Sequence, residues 1–139
     1  MSLRNLLPTG TLFLLCGPAA AHDMSSSLAV QASASDYFQV SCLDDEAVTE
    51  LLFFRLTGSK SAAAPVVSAQ ISKGSQATNL TIDSKTGFSR GVEVHGGGGA
   101  YYVTVNKSKA GRAGYAFDYH CQSASGIHTG TETVTLQNQ

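Results

Sequence analysis

The stretch Gly99-Ala-Tyr-Tyr-Val-Thr-Val-Asn-Lys107, followed by Gly114-Tyr-Ala-Phe-Asp-Tyr-His-Cys121, decides the fold class. Large apolar or aromatic side chains fall on every second residue: Tyr101, Val103 and Val105 in the first segment, then Tyr115, Phe117, Tyr119 and Cys121 in the second. A β-strand turns successive side chains to opposite faces, so a period of two describes strands buried on one side. The same grammar, rich in Val, Tyr, Phe and Thr and broken by Gly, Ser, Lys and Asn clusters, predicts strands over 36–42, 49–57, 65–73, 77–83, 88–95, 100–107, 114–122 and 127–137. Short strands with turns between them read as an all-β chain, an antiparallel β-sandwich of jelly-roll or immunoglobulin-like type. Asp44, Asp45 and Glu46 ahead of Val48, Leu51 and Leu52 leave room for one helical turn before the second strand.

The chain has 139 residues, 9 Lys+Arg against 10 Asp+Glu, and a formal net charge of −1. That length supports one domain. The basic residues are scattered with no stripe among them, which argues against a nucleic-acid partner. Residues 1–21 combine Arg4, an apolar run from Leu12 to Leu15 and a small-residue exit at Pro18-Ala19-Ala20-Ala21, the pattern of a cleaved secretory signal. The run is shorter than the ~20 residues that span a bilayer, which argues against a retained anchor. Leu14 and Leu15 stand where a lipoprotein signal wants small residues before Cys16, which argues against lipid attachment there. Cleavage after Ala21 gives a chain from His22, with a Ser/Ala-rich lead-in over 22–35, flexible or an edge strand, and a single β-sandwich domain over 36–139. The destination is the periplasm or the exterior.

Removing the signal removes Cys16 and leaves Cys42 and Cys121, most simply one disulfide in an exported chain. Closing a loop of about 80 residues is worth on the order of 4–5 kcal/mol in the chain-entropy view. Registering inward positions against one another pairs Val94 with Tyr101 and Val92 with Val103 around Gly96-Gly97-Gly98-Gly99. It then pairs Tyr101 with Tyr119, Val103 with Phe117 and Val105 with Tyr115, and sets Cys121 opposite His128. In that register the disulfide is an inter-sheet bridge.

The outer face then carries His95, Ala100, His120 and Thr129 in one row, with Glu93, Tyr102, Asp118 and Thr131 in the next. His95 and His120, leaning over Ala100, are candidate ligands of one metal ion, with Asp118 orienting them or adding a third ligand. A chain beginning at His22 offers its amine and imidazole to one Cu(II), and His95 or His120 supplies a further nitrogen, an arrangement resembling the histidine brace of periplasmic copper carriers and copper oxygenases. Met24 adds a thioether, but with Met1 removed it stands alone, which excludes a Met-rich carrier. His128 shares parity with Val134 and Leu136, which predicts partial burial near the disulfide, unless a bulge at Gly130 turns it outward.

No G-x-S-x-G or H-E-x-x-H motif occurs, and the glycine run lacks the Lys-Ser/Thr of a phosphate loop, so it reads as a flexible hairpin tip. The sequons Asn79-Leu80-Thr81 and Asn106-Lys107-Ser108 read as chance in an exported bacterial chain. The segments 99–107 and 114–119 resemble the paired strands of bacterial pre-peptidase C-terminal domains, small β-sandwiches attached to secreted enzymes; the resemblance covers about 25 residues. It implies a sandwich fold more than a function. The leading expectation is a non-catalytic binding or accessory module whose face, with Tyr102 and Glu93 beside His95, His120 and Asp118, meets a protein or glycan partner. A periplasmic copper-binding protein is the alternative.

Overall fold

The computed structural model describes residues 22–58, 63–82 and 87–139. The segment 1–21 expected to be a secretory signal, with Cys16, and the end of the strand expected to reach 83 lie outside them. Nine strands and no helix are found among the described residues: β1 (His22–Leu28), β2 (Asp36–Leu43), β3 (Thr49–Gly58), β4 (Val67–Lys73), β5 (Gln76–Thr81), β6 (Val92–Val94), β7 (Gly99–Lys107), β8 (Ala113–Ser123) and β9 (His128–Gln137). All pairings are antiparallel, in the order β5-β4-β7-β2-β9-β8-β3-β6, with β1 added along β8.

Two layers face each other, one holding β1, β8, β3 and β6 and the other β5, β4, β7 and β2. They remain one sheet because β9 belongs to both: His128 and Thr129 pair with β8, and Gly130 to Gln137 pair with β2. Where β9 leaves β8, the edge of β8 would be left unpaired. β1 takes up those backbone groups, from His22 opposite Tyr119 to Leu28 opposite Ala113. The lead-in over 22–28 is therefore an edge strand, not a flexible tail, and its last residue, Leu28, is fully buried.

The expected meander is corrected at two joints. β6 pairs with β3, Leu52 opposite Val94, and β7 runs between β2 and β4, so neither the β6–β7 nor the β7–β8 hairpin forms. On β6, β7 and β8 the inward residues are nevertheless the expected ones, because strands in opposing layers present the same alternation to a shared core; on β9 the parity is reversed, with Thr129, expected on the outer row, buried opposite Cys121. Instead of a hairpin tip, the glycine run is a crossing between layers. Gly97 and Gly99 have φ of 68° and 102°, a region costly for any residue with a Cβ. The Tyr101 hydroxyl accepts from the Gly96 amide at 3.2 Å and donates to the Gly97 carbonyl at 2.7 Å, while the Lys73 ammonium donates to the Gly97 and Gly98 carbonyls.

The β8–β9 hairpin does form, one residue out of the expected register, with Cys121 facing Thr129 and Gln122 facing His128. No helical turn occupies 44–48. The carboxylates there brace bends instead: Asp44 accepts from the Thr49 amide, and Asp45 from the amides of Glu46 and Gly130, each at 2.8 Å. The Gly130 amide, followed by that of Glu46, holds the Asp45 carboxyl below its ordinary pKa.

Phe117 is the centre of the core. Its ring lies 5.2 Å from Phe38, 5.0 Å from Phe54 and 5.3 Å from Tyr119 between centroids, and all of these rings are buried. The Cys42–Cys121 disulfide joins β2 to β8 across β9 with a Cα separation of 5.6 Å, so it ties one layer to the other. Asp36 is the one fully buried carboxylate among the described residues, and it is satisfied by the Tyr115 hydroxyl, by Ser26 Oγ at 3.2 Å and by the Gln139 amide at 2.7 Å. Burial and this carboxylate push the Tyr115 hydroxyl pKa far up.

Replacing both cysteines (C42A/C121A) is expected to cost roughly 2–5 kcal/mol of stability, read from urea unfolding, with the reduced wild-type chain showing a similar loss. Equal stabilities of oxidised and reduced chains would refute a structural role for the bridge.

Candidate functional site

Each layer has one face turned away from the core, and the two differ in chemistry. On the first layer, inward Tyr115, Phe117, Tyr119 and Cys121 of β8 force Asp118 and His120 outward. β3 lies beside β8, with Phe53 opposite His120 and Arg55 opposite Asp118; β9 brings His128 beside Gln122 on the other side. The result is a line of stacked rings: Phe53 on His120 at 4.8 Å and His120 on His128 at 4.4 Å. The Phe53 ring also lies over Gly91, where an added Cβ would come within 2.3 Å of it, so any larger residue there must push the ring aside.

Asp118 is covered although it faces outward. Its Oδ2 accepts from Nε and Nη2 of Arg55, both at 2.5 Å, and the Arg55 guanidinium lies 4.7 Å from the centre of the Phe88 ring. Its other oxygen, Oδ1, faces His120 Nδ1 at 4.0 Å, and both atoms are buried without a hydrogen-bond partner. Burial lowers the His120 pKa and the neighbouring His128 lowers it further; Asp118 opposes them, and Arg55 and His22 add to the lowering.

The metal candidates are divided by the sheet. His95 stands at the end of β6, exposed, with Nδ1 3.6 Å from Glu50 and Nε2 3.4 Å from Glu93. β3 separates it from His120, with Phe53 opposite both Glu93 and His120, and Ala100 belongs to the other layer. The expected His95/His120 pair over Ala100 is therefore not formed. His22 lies opposite Tyr119, its ring 5.9 Å away, and so shares the inward parity of Tyr119 while His120 turns to the other face; its charge still lies near enough to lower the His120 pKa. Among the described residues, no three His, Cys, Asp or Glu side chains converge as ligands. His128 keeps the parity of Val134 and Leu136, but it is the outward parity: those two are 54% and 49% exposed.

Tyr102 and Glu93, expected on one partner face, lie on opposite faces, because β7 belongs to the second layer and β6 to the first. Tyr102 is 39% exposed and its ring lies 5.8 Å from that of Tyr37 on β2, tilted by 16°. Tyr37 was legible: with Phe38, Val40 and Cys42 inward, it must point out. Phe53 was hidden inside the continuous apolar run 51–54, which shows no alternation, and Arg55 follows directly behind it.

No helix among the described residues is long and apolar enough to cross a membrane. Compared with family models, curated proteins and solved structures, the chain matches none.

The lowered His120 pKa has a definite sign. In the unfolded chain this imidazole takes up its proton near 6.5, and in the fold it does so only at lower pH, so its contribution to stability is lost as pH falls through that window. NMR titration of the ring protons is expected to place His120 below 6.5, and H128N to move it upward. A His120 that titrates identically in both proteins would remove His128 as a cause.

Proposed function

We propose that the chain is an exported, non-catalytic binding module that acts through the outward face of its second layer. The observation that carries this reading is the exposed Tyr102 stacked on Tyr37: two large, nearly rigid amphipathic rings held on a sheet and turned to solvent. Such rings offer contact area at small entropic cost, because the strands already fix them. Export is supported by the apolar run and small-residue exit of 1–21, and by a disulfide of the kind that persists in oxidising compartments, with the periplasm as the proposed destination. Fold alone implies none of this, so the reading rests on the face.

The test is retention. Mixed with the insoluble envelope fraction of the exporting cells, the protein is expected to sediment with it, and Y102A to weaken that retention by on the order of tenfold while unfolding at the same urea concentration. Unchanged retention of the variant would overturn the face.

A second reading, a copper-binding chain, rests on His22 standing at the start of β1 beside β8, near enough to His120 for its charge to lower that pKa. Cleavage after Ala21 would then give an amine and imidazole for Cu(II) at the same end of β8 as His120. Adding one residue before His22 is expected to abolish tight Cu(II) binding measured by competition with a chelator; retained affinity would sink this reading.

A further inference from the structure

The outward positions of the second layer share one property beyond the tyrosine pair. Pairing across the strands sets Ser72, Tyr102, Gln39 and Val134 in one row, and Gln70, Thr104 and Tyr37 in the next, with Asn79 extending it at the edge. Among the described residues, the outward positions of β2, β4, β5 and β7, and of β9 beyond Gly130, carry a single charged side chain, Glu132, at the rim opposite Ser41. Lys73 and Lys107 in the same strands point the other way: Lys73 donates to the glycine crossing, and Lys107 to the carbonyls of Ala29 and Gly111. Globular domains ordinarily draw about a quarter of their residues from Lys, Glu, Arg and Asp, against 14% in this chain. This face replaces them with amides, hydroxyls, aromatic rings and the exposed aliphatic side chains of Leu43, Val134 and Leu136.

We infer that this face binds a neutral polysaccharide; the inference names the ligand class of the module proposed above and rests on that reading. Three features select the class. Among the described residues the face carries no cationic side chain with which to hold a phosphate, sulfate or uronate, which disfavours nucleic acid and polyanionic glycans. Its Gln, Asn, Thr and Ser side chains both donate and accept, matching the hydroxyls of a sugar, each of which also does both. Its tyrosines present apolar rings with a polar tip, and the C–H face of a pyranose is an apolar surface edged by hydroxyls. The rings sit at 5.8 Å in the offset-stacked range, and 39% exposure of Tyr102 leaves part of that surface free for a sugar. Strands repeat every ~4.8 Å across a sheet, close to the repeat of a chain of pyranose rings, so successive sugars running across the strands meet successive members of the Ser72–Tyr102–Gln39–Val134 row. Contacts of this kind are insensitive to salt, unlike those of a charged groove.

The experiment is affinity electrophoresis and sedimentation of the full exported chain with cellulose, chitin, xylan and an α-glucan as neutral probes, and alginate as the polyanion. Retention by at least one neutral polysaccharide is expected, unchanged in 1 M NaCl. Y37A and Y102A are each expected to weaken it tenfold or more, and E132Q to leave it intact, with all variants folded by urea unfolding. Absence of binding to every neutral probe, binding that survives the Y37A/Y102A double substitution, or binding to alginate alone that salt abolishes would each overturn the inference. If no polysaccharide binds but Y102A still loses envelope retention, the inference fails and the binding-module reading stands. If neither responds to Y102A, both fail.

Discussion

The alternation along β8 is the constraint on which the rest depends. Tyr115, Phe117, Tyr119 and Cys121 enter the core together, so Phe117 meets Phe38 and Phe54 and Cys121 meets Cys42. A slip of one residue would send Asp118 and His120 into that core and the aromatic rings to solvent, an exchange of apolar burial for buried charge. Three neighbours, β1, β3 and β9, take their register from this strand. The composition of the first layer's outer face, Asp118 under Arg55 and His120 between Phe53 and His128, follows from that register and from the bulge of β3 between Thr49 and Leu51.

β9 solves a different problem. A two-layered β structure with separate sheets has four edges to protect, whereas a strand shared between layers removes two of them. Sharing it leaves β8 unpaired where β9 departs, and β1 fills the gap. Asp36 sits at this junction, gathering Ser26 of β1, Tyr115 of β8 and the Gln139 amide onto one buried carboxylate. A charged group in the interior is costly unless its lone pairs are filled, and these three donors from distant parts of the chain fill them.

Strand positions were legible in the sequence because period two survives any arrangement of half-buried strands; Asp36–Leu43, Thr49–Gly58 and His128–Gln137 fall within a residue of their expected limits. Partners were not legible. Tyr101 and Tyr119 are both inward, and an inward residue can face a neighbour on its own sheet or one across the core; the sequence pattern is the same. What decided between them was Gly96 to Gly99, read as a hairpin tip but pinned as a crossing by Tyr101 and Lys73. The metal candidates inherited that error: once β7 leaves the neighbourhood of β6, His95 and His120 no longer flank an alanine. Tyr102 kept its outward orientation, because parity alone sets it, but its companion on the face is Tyr37 rather than Glu93.

The position of the disulfide also bears on how the protein answers a mechanical load. Residues 42 to 121 form a covalently closed loop, so tension applied outside it cannot extend that segment while the bridge holds. Force entering through β9 runs along the strand, loading its ladder with β2 in shear, where many hydrogen bonds must yield together rather than one after another. Force entering through β1 meets the same geometry against β8. A domain under load would therefore hold Tyr102 within the closed loop, whereas Tyr37 sits in the flanking segment and is guarded only by the ladders of β2 with β7 and β9.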